Sequence, residues 1–256
     1  MHLYRSALTA IACAAALSGQ SATAQERLFS FSLTAGASVE PSYFGSDSYS
    51  VSPTGKPGFT GLRLDGLELS DLDGPWLFPP GTSIRGSFRY ITERDGKDEL
   101  AGLDDVDGSL EVGIRLYHTA EFWQVYAETR YGAIGHEALA GEIGANAIYR
   151  GKSGFVLNAG PRAEFGNARF LRTYFGITPT ESARSGLAAY RPDGGIYSIG
   201  FEIGAYQPLN DDWGISGSLR YDRLQDEAAD SAIVQQGSRD QLTATIGVTR
   251  HFNLRW

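Results

Sequence analysis

Apolar and polar side chains alternate with a period of two along most of the chain. Over 195–209, Tyr197, Ile199, Phe201, Ile203 and Ala205 share one parity, and Ser198, Gly200, Glu202 and Gly204 share the other. Over 213–223, Trp213, Ile215, Leu219 and Tyr221 oppose Ser216, Ser218, Arg220 and Asp222. Leu110, Val112, Ile114 and Leu116 alternate with Ser109, Glu111, Gly113 and Arg115, and the stretches 29–39, 139–150 and 155–165 repeat the pattern. Two is the side-chain repeat of a strand, so the chain reads as all-β. Strands are expected near 27–39, 48–57, 60–69, 74–80, 83–93, 108–118, 122–133, 138–150, 153–165, 195–208, 212–224 and 240–256. That is a count of twelve, with ten as the alternative because 48–80 is weakly patterned and rich in Pro and Gly.

The connections sort into two kinds. Those at 119–121, 151–152 and 210–212 are short, and those at 94–107, 166–194 and 224–239 are long. Strands of about ten alternating residues, joined by turns, are the mark of a closed antiparallel transmembrane β-barrel. Closure follows because unpaired backbone groups cannot be left in hydrocarbon. A soluble sandwich or lipocalin-like barrel also alternates. Strand length, aromatics near strand ends (Phe122, Trp123, Tyr149, Tyr221) and the short-long alternation favour the membrane form, with short turns periplasmic and long loops outside.

The polar parity carries both signs of charge. Arg85, Arg89, Glu93, Glu111, Arg115, Glu128, Arg130, Glu142, Arg150, Arg162, Glu164, Glu202, Arg220 and Asp222 would all point into the lumen. Interleaved charges in a narrow lumen should pair across it, giving a plugged barrel; a narrow hydrophilic pore is the other reading. In the longest loop, Thr178-Pro179-Thr180-Glu181 is a capping box and Gly186 a helix stop, so a short helix is expected there, acting as a lid or a partner contact.

Composition then narrows the setting. Arg5, the apolar run 7–17 and Ala22-Thr23-Ala24 form a secretory signal peptide over 1–24, leaving one barrel domain over 25–256. Cys13 is the sole cysteine, so the mature chain has no disulfide. Without Arg5 it holds 21 basic and 30 acidic side chains, which argues against nucleic acid as a partner. No later run of about twenty apolar residues offers a transmembrane helix.

Catalytic and cofactor chemistry finds no foothold. His118, His136 and His251 each lack a serine two residues on, the spacing that would place an imidazole beside a hydroxyl on one strand face. The acidic run Asp104-Asp105-Val106-Asp107-Gly108 fails as a calcium loop, since Leu103 and Ile114 occupy the positions that need carboxylates. The expectation is a non-enzymatic protein with no cofactor or metal.

One segment is more specific. Tyr174-Phe175-Gly176, then Ala183-Arg184-Ser185-Gly186-Leu187, then Tyr190, resembles the signature of the MipA/OmpV family of outer-membrane proteins, also called MltA-interacting proteins. Leu224, Asp230, Ser231, Ile233, Val234, Gly237 and Ser238 match a later block, with Ala232 where the family has proline; Pro41, Tyr43, Gly45, Ser46, Asp47 and Tyr49 match an early one. The resemblance implies a barrel in the outer membrane of a Gram-negative bacterium, touching lipid and lipopolysaccharide. It implies a scaffold joining a lytic transglycosylase to a murein synthase, with a porin-like channel or an adhesin as the alternatives found among members.

The chain closes on alternating apolar residues ending in Phe252, Leu254 and Trp256, interrupted by Arg250. This resembles the signal read by the barrel-assembly machinery. Deleting Trp256, or the change Phe252→Asp, is expected to block outer-membrane assembly while export continues; normal outer-membrane levels of both variants would contradict the assignment.

Overall fold

The computed structural model describes residues 27–64, 67–69, 78 and 80–255. Eleven strands form one sheet: β1 (Leu28–Pro41), β2 (Tyr49–Leu64), β3 (Leu67–Leu69), β4 (Gly81–Ile91), β5 (Ser109–Thr119), β6 (Trp123–Ile134), β7 (Leu139–Arg150), β8 (Val156–Gly166), β9 (Gly195–Pro208), β10 (Trp213–Leu224) and β11 (Asp240–Arg255). Their lateral order is β3-β2-β1-β11-β10-β9-β8-β7-β6-β5-β4, and every pairing is antiparallel. The last strand therefore zips onto the first, from Leu28 opposite Arg255 to Val39 opposite Ala244.

The expected count of twelve becomes eleven among the described residues. No break occurs at 58–59: β2 runs through Pro57 and Gly58, and Thr60 is the extra residue of a bulge opposite Ser30 and Phe31. Among the described residues β3 meets only Leu62–Leu64, so Pro53 and Pro57 interrupt no ladder on that side of β2. The strand expected at 74–80 lies outside the described residues except for Phe78 and Pro80, as do the segment 1–24 and Trp256. Among the described residues no ladder joins β4 to β2 or β3.

Side-chain contacts show that the sheet is strongly curled. In a flat sheet β1 and β4 would stand eight strand spacings apart, about 38 Å at ~4.8 Å each. Yet Glu40 and Pro41 on β1 share one cavity with Tyr90 and Ile91 on β4. Arg89 of β4 also bonds Glu164 of β8 at 3.1 Å, across a flat distance of about 19 Å.

The curl is inside-out in polarity. Val51, Ile84, Phe88, Ile114, Ile134, Tyr149 and Ile246 are exposed on the convex face, while Glu111, Glu128, Arg130, Glu142 and Arg162 are buried on the concave face. Tyr197 departs from the expected parity. Glu164 pairs with Ser198 and Phe165 with Ile196, so Tyr197 is the extra residue of a bulge. The bulge leaves Ile196 and Ile199 exposed and turns Tyr197 inward, where it is fully buried.

The long connections 92–108, 167–194 and 225–239 gather at one end of the sheet, with 42–48 and 135–138; the short turns 120–122, 151–155 and 209–212 lie at the other. At the long-loop end the single expected helix is joined by three more: α1 (Ala168–Phe175), α2 (Pro179–Ser185), α3 (Asp226–Ala229) and α4 (Ala232–Gln236). Asn167 caps α1 by accepting from the Phe170 N–H at 3.0 Å. The expected capping box opens α2, with Thr178 Oγ1 accepting from Glu181 N at 3.2 Å and Glu181 Oε2 from Thr178 N at 2.8 Å. Gly186 closes α2 at φ 78°, a left-handed cap that glycine adopts freely.

The main apolar core sits within this lid, not within the curl. Phe170, Leu171, Tyr174 and Phe175 of α1 pack with Tyr197, Leu224, Ala228 and Val234, and Phe44 joins from the β1–β2 connection. A second cluster of Leu100, Leu103, Ile177 and Ile233 binds the lid segments to one another.

Candidate functional site

Beneath the lid, the inward charges are joined in one network. Glu111 has no solvent exposure and accepts from Arg89 at 2.7 and 3.0 Å and from Arg130 at 2.7 Å. Arg130 also pairs with Glu128, which takes Arg115 and the Ser87 hydroxyl. Arg89 extends to Glu164, and Arg220 links Glu164 at 3.5 Å to Glu142 at 2.6 Å, Glu202 at 4.0 Å and Asp222. Arg162 joins Glu202 at 3.4 Å and Asn146 Oδ1 at 2.8 Å. Tyr126 donates to Glu142, and its ring lies 4.7 Å from the Arg115 guanidinium and 5.3 Å from that of Arg162.

Thus Arg89, Glu111, Arg115, Glu128, Arg130, Glu142, Arg162, Glu164, Glu202, Arg220 and Asp222 form a contiguous ionic web. Arg85 and Arg150 stand apart. Arg85 lies 5.6 Å from the Tyr117 ring centre with Nε and Nη2 unbonded, and Arg150 donates to the carbonyls of Glu121 and Phe78 near the short-turn rim. Glu93 is exposed, contrary to the expected parity. Strand β4 ends at Ile91, two residues early, and the chain then turns Arg94 inward instead.

His136 is part of the web that the periodicity does not reveal, because it sits in the β6–β7 turn. Its Nδ1 accepts from the Ala138 N–H at 3.0 Å, so the proton lies on Nε2, facing Glu111 Oε1 at 3.1 Å. Neither ring nitrogen is left to take a proton from a hydroxyl. The nearby Ser109 Oγ accepts from the Tyr174 hydroxyl at 3.1 Å and from the His136 N–H at 3.2 Å.

The signature residues of the long loop are turned inward and hold the lid. The Tyr174 carbonyl accepts from Arg94 Nη1 at 2.8 Å, and the Phe175 carbonyl from Ser231 Oγ at 2.7 Å. The Gly176 N–H closes the last turn of α1 on the Arg172 carbonyl. Arg184 pairs with Asp104, and Ser185 Oγ donates to the Glu181 carbonyl at 2.7 Å. Gly102 lays bare backbone against α2: a Cβ there would stand 2.7 Å from Ser185 N. Tyr190 bridges to Ile177, and its hydroxyl reaches the carbonyl and carboxylate of Glu227 at 2.9 and 3.0 Å.

Electrostatics fits this role. Burial would raise the Glu181 pKa, but hydrogen bonds from Thr178 and Asp104 and the charge of Arg94 hold it below the ordinary carboxylate value. Burial and Glu227 push the Tyr190 phenol up to about 12.

At the closing strand, Phe252 stacks on Phe31 with ring centres 4.8 Å apart, and Leu254 is exposed. Arg250, the break in the apolar stripe, lies 5.2 Å from the Trp213 ring and 4.9 Å from that of Phe252, so its charge is met by aromatic faces. Among the described residues no three His, Cys, Asp or Glu side chains are grouped to hold a metal, and no helix is long and apolar enough to cross a membrane.

A curled antiparallel sheet, charged and paired within, apolar without, and capped by a helical lid, defines a β-protein of inverted polarity. The family described as "MltA-interacting protein MipA" matches residues 33–252, and the chain belongs to it. The MltA-interacting proteins of Escherichia coli (strain K12) and Shigella flexneri are each 28% identical over 158 residues, covering 57% of this chain and 59% of theirs. The match thus spans about three fifths of those relatives.

Among solved structures, Pseudomonas aeruginosa OprG overlaps 88% of this chain and 97% of its own at 14% identity and a TM-score of 0.32. Neisserial surface protein A overlaps 87% and 95% at 9% identity and 0.30. The Escherichia coli outer membrane protease OmpT overlaps 91% and 99% at 10% identity and 0.33. The fold is defined by the antiparallel ladder and its curl.

Glu111 is the node at which two guanidiniums and an imidazole meet. Glu111→Gln should destabilise the protein by about 3–5 kcal/mol, because Arg89 and Arg130 lose the charge that compensates their burial. Glu137→Gln, which breaks only the exposed pair with Arg169, should change little. Urea unfolding of the detergent-solubilised protein reads both; equal midpoints for the two variants would show that the web is not what holds the interior.

Proposed function

We propose that the chain is a non-enzymatic, closed β-barrel of the Gram-negative outer membrane that serves as a scaffold for murein-processing enzymes. The observation that carries the membrane assignment is the inside-out polarity. Each large apolar side chain on the convex face gains ~1.5–3 kcal/mol on leaving water, and lipid is the solvent that supplies this along a whole sheet face. Hydrocarbon cannot satisfy the free backbone groups of β3 and β4, which favours closure of the sheet through the residues between them. Lipopolysaccharide would meet the long-loop rim, and the barrel-assembly machinery would read the closing strand β11.

The scaffold reading draws on the family, whose members include proteins named for interaction with MltA. The partners proposed are a lytic transglycosylase and a murein synthase, docking at the short-turn end, where Phe122 and Leu209 are exposed. The rival readings fit less well. The ionic web and the lid obstruct a channel. An adhesin acting through Tyr174–Tyr190 would need residues that are instead bonded into the lid. The engaged nitrogens of His136 leave it no role as a base.

Crosslinking in cells, followed by capture of the tagged chain and mass spectrometry, tests the proposal. A murein hydrolase or synthase should be recovered. Recovery of neither, under conditions that capture other envelope pairs, rejects the scaffold role.

A further inference from the structure

A cavity of about 220 Å³ lies under the rim of the lid, between the ends of β1 and β4. Its floor is the paired charge of Arg89, Glu164, Arg220 and Asp222, and aromatic rings of Tyr43, Phe44, Tyr90 and Tyr174 form much of its wall. Two further charged residues line it, and neither is held in a direct ion pair among the described residues.

Arg94 is only 6% exposed, and among the described residues its guanidinium makes a single hydrogen bond, from Nη1 to the Tyr174 carbonyl. Its Nε is buried with no partner, and no carboxylate stands within 4.0 Å of it among the described residues. Arg130 and Arg162, equally withdrawn from water, each hold at least one carboxylate, as do the partly buried Arg89 and Arg220. The charge of Glu181 acts on Arg94 only from beyond ion-pair distance, and a buried guanidinium with no carboxylate in contact keeps hydrogen-bonding capacity unused.

Glu40 is the second group. It shares the inward parity of Ser30, Ser32, Thr34 and Ser38 on β1 and is half-buried, with no hydrogen bond or ion pair among the described residues. Arg94 and Glu40 line the same cavity but are not paired with each other. A lone anion in this space would meet Glu40, and a lone cation would meet Arg94. A ligand carrying both charges satisfies both. The volume is below the ~300–1,000 Å³ of pockets for drug-sized molecules, which limits the ligand to about one residue.

We propose that this cavity binds a small zwitterion, a free α-amino acid, with its carboxylate on Arg94, its ammonium on Glu40 and its side chain against the aromatic wall. The assignment goes beyond the scaffold role and stands whether or not envelope enzymes dock on the chain.

Isothermal titration of the detergent-solubilised full chain tests it with three probes of one shape. These are phenylalanine, 3-phenylpropionate, which lacks the ammonium, and phenethylamine, which lacks the carboxylate. Phenylalanine should bind, and each of the others should bind about tenfold or more weakly, since each forfeits a charge-assisted hydrogen bond. Glu40→Gln, which breaks no existing bond, should weaken phenylalanine to the level of 3-phenylpropionate and leave 3-phenylpropionate no weaker than before. Absence of phenylalanine binding to folded wild-type protein would overturn the proposal. Equal binding of the three probes, or phenylalanine binding that is unchanged in Glu40→Gln, would overturn it as well.

Discussion

Glu111 sits out of contact with water among Arg89, Arg130 and His136, and the rest of the molecule is arranged so that it can. A carboxylate withdrawn from solvent needs its compensating charges within a few ångströms. Those charges come from β4 and β6, the strands that flank β5, and Arg89 reaches on to β8. That reach exists only if the sheet curls. The curl puts the polar parity of β4 to β11 inside and the apolar parity outside, so one requirement, pairing of interior charge, is tied to the shape and to the surface the protein shows its surroundings. The ionic interior replaces the hydrophobic core that a soluble domain of this size would have.

The apolar core that does exist belongs to the lid. α1 inserts Phe170, Tyr174 and Phe175 above the web, and Tyr197 rises to meet them through a bulge in β9. Signature residues of the family thereby acquire physical roles. Tyr174 offers its carbonyl to Arg94 and its hydroxyl to Ser109, Ser185 and Gly186 end α2, and Tyr190 ties the 167–194 connection to Glu227. The family motif is a description of how three loops are held over one end of the sheet.

Much of this was legible from the sequence because a strand has a rigid period of two. Once the parity of Glu111 or Arg220 was set by its neighbours, its side was set too, and the pairing of both signs followed. The reading lost its hold where the period slips. A bulge at Tyr197 turns an apparently outward ring inward, and the early end of β4 exchanges Glu93 for Arg94. The sequence suggests a break between strands at 58–59, yet β2 passes through it. α1 is not among the expected elements although its signals are present: Asn167 is a good N-cap, and Phe170, Leu171, Tyr174 and Phe175 have helical spacing. His136 lies in a turn, where no periodicity reports direction, and only the fold brings it to Glu111.

The interior is a paired ionic web beneath a lid, and the proposed function has the surrounding sheet face lipid and the web close it to ions. Planar-bilayer recording of the purified, reconstituted chain tests this most directly. Buried pairs are screened far less by salt than exposed ones, so the web should stay closed as ionic strength is raised. The account predicts a membrane that remains silent at low and high salt, with protein demonstrably inserted. Sustained ohmic conductance steps from the wild-type chain would contradict it.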